Sequence, residues 1–400
     1  MFKVARRISE VEYAIRDIIV PASRLEAEGV RLIKLNIGDP SKFDFDVPEH
    51  VKEALRGAIA EGYNSYAPSE GDMELREAIA ERERRKGAYV DASDVIITQG
   101  VSESIQMLFG SMLEEGDEVL VPGPGYPPYT SLAKFFGAKP VPYRTVEEEG
   151  WQPDLEDLQA KITDKTRMII LINPNNPTGA VYSKSTVKGI VDIAGERNLL
   201  LVSDEIYDEL TYEQPFYSPT MLAKDVPMIV LNGFSKAYLM TGWRLGYTVF
   251  VNPSGELDDV KNAFLRQARV RISANYPCQK AALAALKGPQ DHIEANKRKL
   301  RERRDYIHKR VNEIQGLSAQ KPQGAFYIFP KIEEGRWADD KEFVLEVLNE
   351  AHVVLVHGSG FCQTYGRGHF RAVFLPPVEV LAEALDALEA FMKRKLGESY

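Results

Sequence analysis

The chain has 400 residues, 44% of them apolar and 27% charged, enough for a sizeable buried core and unlike a disordered, collagen-like or disulfide-stapled polypeptide. Fifty Lys and Arg against 59 Asp and Glu give a formal net charge of -9, which argues against a general nucleic-acid binder while leaving room for a local basic pocket. Two cysteines, Cys278 and Cys362, are too few to staple a chain of this size and fit a reducing compartment.

The N-terminal stretch MFKVARRISEVEYAIRDIIV carries Glu10, Glu12 and Asp17 where a signal peptide needs an uncharged apolar run. No later stretch approaches a membrane span, so the expectation is a soluble cytoplasmic protein. Pro48, then Val51, Leu55 and Ile59, then Gly62, predicts a helix with proline at its start and glycine at its stop. DVIIT (94–98) reads as a strand, residues 102–116 as a helix stopped by Gly116, and EVLVP (118–122) as the next strand, which is a β-α-β unit. The alternation continues through strand 167–173, a helix from Ser185 to Arg197, and strands 199–205, 228–233 and 244–250. Continuous apolar strands of this kind fit an α/β fold with a mainly parallel sheet covered by helices on both faces. Past about Gly288 the texture changes to a charge-rich helix (294–314), the strands GAFYIFP, VVLVHG and HFRAVFLP, and a C-terminal amphipathic helix. The division expected is a large α/β domain over 48–285 and a smaller α+β domain built from 1–47 and 286–400. Glutamates and spaced apolar residues in the 294–314 helix favour a solvated face over a nucleic-acid patch.

In open parallel sheets ligands sit beyond the carboxyl ends of the strands, and polar or glycine-rich segments follow these strands repeatedly. Gly100, Val101 and Ser102 join a strand to a helix start, where free N–H groups and the helix dipole favour a phosphate, although Gly-Ser joints are more often ordinary caps. Lys236 follows an apolar strand and Ser235, where burial and nearby cations lower an amine's pKa and allow Schiff-base chemistry with an aldehyde; a lysine seen alone would read as surface. Asp204 closes the run LLLV, where a carboxylate needs a cationic or strongly donating partner such as a protonated pyridine nitrogen. Asn176 lies in the rigid turn NPNNPTG, where its amide could face a ring oxygen or serve turn chemistry alone. The six histidines show no ligand-like spacing, so no metal site is expected.

With these residues in view, NPNNPTG, SDEIY, SKAYLMTGWRLG and FRAVF make the chain resemble, over essentially its whole length, the fold-type I class I aminotransferases that use pyridoxal 5'-phosphate. VEYAIRD, LNIGDPSKFDF, QGAFYIFPKI and VHGSGF resemble the alanine aminotransferases of archaea and their bacterial relatives. The resemblance implies a large domain with a mainly parallel, seven-stranded type of sheet. It makes Lys236 the Schiff-base lysine and proton carrier, Asp204 the partner of the pyridine nitrogen, and Asn176 and Tyr207 donors to the ring oxygen. Tyr126 would stack on the ring, although Tyr129 is a near rival on sequence alone. Gly100, Val101, Ser102, Ser235 and Arg244 would hold the phosphate, joined by Tyr66 from the neighbouring subunit of a homodimer. Arg371 would grip the substrate α-carboxylate, helped by Asn176 and the Gly38 backbone. Tyr13 and Arg16 are expected to line the side-chain pocket. The implied reaction is reversible amino transfer from L-alanine to 2-oxoglutarate, with an aspartate or aromatic aminotransferase, and behind them a carbon–sulfur β-lyase, as rivals.

Overall fold

The structure, a computed structural model, describes residues 2–11, 18–333 and 337–397. A two-residue strand, β1 (Ile33–Lys34), precedes the main sheet. That sheet is built from β2 (Val95–Thr98), β3 (Glu118–Gly123), β4 (Lys139–Val146), β5 (Gln152–Pro153), β6 (Thr166–Ile172), β7 (Leu200–Asp204), β8 (Met228–Gly233) and β9 (Gly246–Val251). Their spatial order is β2-β9-β8-β7-β6-β3-β4-β5. The run from β8 to β4 is parallel, while β9 is antiparallel to both its neighbours. Seven substantial strands are therefore joined by an eighth, the two-residue β5, which closes the β4 edge in antiparallel register.

The apolar strands supply two cores. Side chains alternate across a strand, so Ile169 and Leu171 of β6 enter one cluster while Met168, Ile170 and Ile172 enter the other. Helices Val101–Met112 and Asp258–Arg271 cover the second cluster with Ile105, Leu108, Phe109, Phe264 and Ala268. Helix Lys184–Arg197 covers the first with Val187, Ile190, Val191 and Ala194.

Boundaries follow local chemistry. Pro48 is the N-cap of helix Glu49–Ala60. The helix expected to stop at Gly116 ends at Met112, because Leu113 turns extended and buries its side chain, leaving Gly116, at φ +91°, to shape the following turn. The strand expected from residue 244 starts at Gly246, because Arg244 sits in the left-handed region at φ +54°.

The C-terminal part adds β10 (Leu317–Ser318), β11 (Tyr327–Ile328), β12 (Lys331–Ile332), β13 (Val353–Val354), β14 (Val356–His357) and β15 (Phe370–Val373). The apolar run VVLVHG divides at Leu355: β13 pairs in parallel with β1, and β14 pairs with β15, which also pairs with β11. The segment before the large sheet is thus tied to the segment that carries Arg371. Among the described residues no helix is long and apolar enough to cross a membrane, and no group of three or more His, Cys, Asp or Glu side chains is placed to hold a metal ion.

Candidate active site

A cavity of about 460 Å³ opens at the carboxyl ends of β6, β7 and β8, and Lys236, Asp204, Asn176, Tyr207, Tyr126 and Arg371 all line it. It is also lined by Gly38, Val101, Ser102, Ser235 and Arg244. The turns after five different strands, β2, β3, β6, β7 and β8, thus deliver their polar residues to one place.

Lys236 Nζ donates to the Gly38 carbonyl oxygen at 2.8 Å. Burial, with Arg371 and Arg244 adding like charge, lowers its pKa to about 8 against the pull of Asp39. Asp204 ends β7 and is buried. Its Oδ2 accepts from the Tyr129 hydroxyl at 2.7 Å and its Oδ1 from the Ile206 amide at 3.2 Å. Burial outweighs both donors and raises the carboxyl's pKa to about 6. Among the described residues no ion pair holds it, so this carboxyl is set up to receive a cation from the cavity. The donor that sequence reasoning asked for beside Asp204 is therefore a phenol. Tyr126 and Tyr129 separate accordingly: Tyr126 lines the cavity, while Tyr129 lies beneath it against Asp204, the rings meeting edge to face at 6.4 Å.

Gly100 occupies φ +82° at the N-cap of helix Val101–Met112, and a Cβ there would come within 2.7 Å of Arg244 Nη2. Only glycine leaves room for that guanidinium beside the helix start, where the first amides lack intrahelical acceptors. Arg244 is steadied by donating to the Thr241 and Gln99 carbonyls at 3.1 and 3.4 Å. Backbone donors, Ser102, Ser235 and this guanidinium line one cavity, a set of groups whose chemistry suits an anion.

Arg371, on β15, is buried. One guanidinium nitrogen donates to Asn176 Oδ1 at 2.9 Å and another to the Asn36 carbonyl at 2.5 Å. Tyr207, also buried, shares a 2.7 Å hydroxyl–hydroxyl bond with Tyr327, and burial raises its phenol well above its ordinary pKa. Tyr66 is 78% exposed and does not line this cavity. Tyr13 and Arg16 lie outside the described residues.

Sequence reasoning missed Tyr327 and underrated Tyr129. A phenol inside the apolar run GAFYIFP was the available signal for the first, since a buried hydroxyl needs a partner. For Tyr129 spacing alone could not say which ring faces the cavity.

Residues 30–388 match the family model "Aminotransferase class I and II". The chain is 38% identical to the glutamate-pyruvate aminotransferase AlaA of Haemophilus influenzae over 98% of each chain. It is 58% identical to the solved alanine aminotransferase of Pyrococcus furiosus, with a TM-score of 0.96 over 98% of this chain and 100% of that one. The solved aspartate aminotransferase of Thermus thermophilus with maleate is 36% identical, with a TM-score of 0.89 over 98% of this chain and 100% of that one.

Proposed function

Since this chain belongs to the class I and II aminotransferase family, we propose that it catalyses reversible transfer of the amino group of L-alanine to 2-oxoglutarate, giving pyruvate and L-glutamate in two half-reactions with pyridoxal 5'-phosphate. The observation that carries this reading is the convergence of a lysine amine of lowered pKa, a buried carboxyl that no ion pair holds among the described residues, and a buried arginine on one cavity. The alanine assignment rests on the relatives named alanine or glutamate-pyruvate aminotransferase, one of them 58% identical.

The residues fit the cofactor. The Gly100 cradle, closed by Arg244, suits its phosphate, and the Asp204 carboxyl, held by two neutral donors, suits its ring nitrogen. When bound, pyridoxal phosphate supplies an aldehyde for amine capture and an electron sink for negative charge formed at the substrate α-carbon. Lys236 would take the aldehyde and, once released, carry the α-proton; a pKa near 8 leaves an appreciable share of free amine at neutral pH. Asp204 would hold a proton on the ring nitrogen, its own acidity restored by that cation. Asn176 and Tyr207 would donate to the ring oxygen, and Tyr126 would cover the ring face. Arg371 would grip the α-carboxylate, held in place by Asn176 and the Asn36 carbonyl. The outward-facing Tyr66 would reach the phosphate of a partner subunit in a homodimer.

The test is an absorbance spectrum of the protein with pyridoxal phosphate before and after L-alanine alone, with Lys236→Ala as control. A lysine-dependent visible band that alanine discharges with release of pyruvate, and that 2-oxoglutarate restores, supports the reading. A band discharged only by aspartate or an aromatic amino acid redirects the substrate, and ammonia release without an oxo-acid acceptor would indicate a lyase.

A further inference from the structure

Tyr327 lines the cavity and touches both Tyr207 and Arg371. Its hydroxyl lies 2.7 Å from the Tyr207 hydroxyl, and its ring centroid lies 4.5 Å from the Arg371 guanidinium. Strand pairing fixes the second contact, because Tyr327 on β11 stands opposite Val373 on β15, two residues from Arg371 and diagonal to it across the ladder. Phe326 and Phe361 complete the apolar packing, with Phe326 edge-on to Tyr207 and Phe361 at 4.9 Å from the guanidinium.

Each phenol has one proton, and that constraint sets a direction. A Tyr207 hydroxyl that donates to an oxygen in the cavity has nothing left to give Tyr327, so Tyr327 must donate to Tyr207. We propose that Tyr327 is a positioning residue that directs the Tyr207 proton into the cavity and, by donating to its oxygen, strengthens the bond that Tyr207 makes to the cofactor's ring oxygen. This rests on the cofactor reading above. Chains of hydrogen bonds polarise one another, by about 10–30% per bond in condensed-phase estimates, so the effect is modest and directional. A merely structural tyrosine would pack identically without its hydroxyl.

The experiment follows the visible absorbance of the pyridoxal-phosphate-loaded protein against pH in wild type, Tyr327→Phe, Tyr207→Phe and the double variant. Donation to the ring oxygen competes for it with the adjacent nitrogen's proton, so weaker donation raises the titration midpoint. Tyr327→Phe should raise it by roughly 0.3–0.6 pH unit, and the same change in the Tyr207→Phe background should move it by less than about 0.1. The retained ring over Arg371 should keep the KM for L-alanine within about twofold. An unmoved midpoint in Tyr327→Phe, or an equal rise in both backgrounds, overturns the inference alone. A tenfold rise in KM with no spectral change would assign Tyr327 to Arg371 instead and also overturn it. If wild-type protein forms no Lys236-dependent band, the cofactor reading falls, and this inference with it.

Discussion

Asp204 offers a test of the site that needs no turnover. Its carboxyl is buried, takes two hydrogen bonds from neutral donors, and has its pKa raised from 3.8 to about 6. The folded, cofactor-free protein therefore binds more protons than the unfolded chain between those values, and its stability falls as pH rises through that window and levels off above about 6. About two pH units at ~1.4 kcal/mol each put the cost of the charged form at about 3 kcal/mol. Asp204→Asn removes the charge and keeps an acceptor for Tyr129, but turns an amide donor toward the Ile206 N–H, a loss of ~1 kcal/mol. The expected result is a cofactor-free variant more stable than wild type by about 2 kcal/mol at pH 8 and less stable by ~1 kcal/mol below pH 4. Urea midpoints measured from pH 4 to 8 at one protein concentration would show the two curves crossing. Pyridoxal phosphate should reverse the order at pH 8, by stabilising wild type more than the variant. A cofactor-free Asp204→Asn protein that is destabilised equally at both pH extremes would refute the reasoning, because Asp204 would then be acting as an ordinary hydrogen-bonded side chain.

The neighbouring residues give further expectations. Tyr129→Phe removes the 2.7 Å donor to Asp204 and should raise that carboxyl further, with kcat down about tenfold, ~1.4 kcal/mol, measured under saturating substrate. Arg371→Lys loses the forked geometry between Asn176 and Asn36 and should lower kcat/KM for L-alanine by about 100-fold, ~3 kcal/mol, mostly through KM. Gly100→Ala combines φ +82° with a Cβ about 2.7 Å from Arg244 Nη2, and should weaken pyridoxal phosphate binding by roughly tenfold in an equilibrium titration. Because burial leaves the Lys236 amine with a pKa of about 8, the rate at which cofactor-free protein captures pyridoxal phosphate should rise with pH toward 8 and then level off; a rate flat from pH 6 to 9 would count against that amine as the nucleophile.

By itself the sequence determined the repeating framework and the chemistry at strand ends. Runs such as RMIILIN and LLLVSDE are apolar on both alternations, so they had to be strands buried on two faces, and the polar residues closing them had to emerge at the sheet's carboxyl edge. Lys236 and Asp204 were readable because a charged group just after such a run is costly without a partner, and Asn176 as an amide in a rigid turn; Arg244 and Arg371 were assigned through the family resemblance. The tertiary structure decided which partner each one has. Tyr126 and Tyr129 are three residues apart on and beside one short helix, and only the packing of that helix on the sheet turns one toward the cavity and the other onto Asp204. Tyr327 sits in an apolar run where its phenol signals only that a buried hydroxyl needs a partner, and the folded chain supplies that partner in Tyr207, 120 positions away. The acidities of Lys236 and Asp204 were decided there too, because desolvation depends on everything packed around a group, and local sequence carries only a small part of that environment.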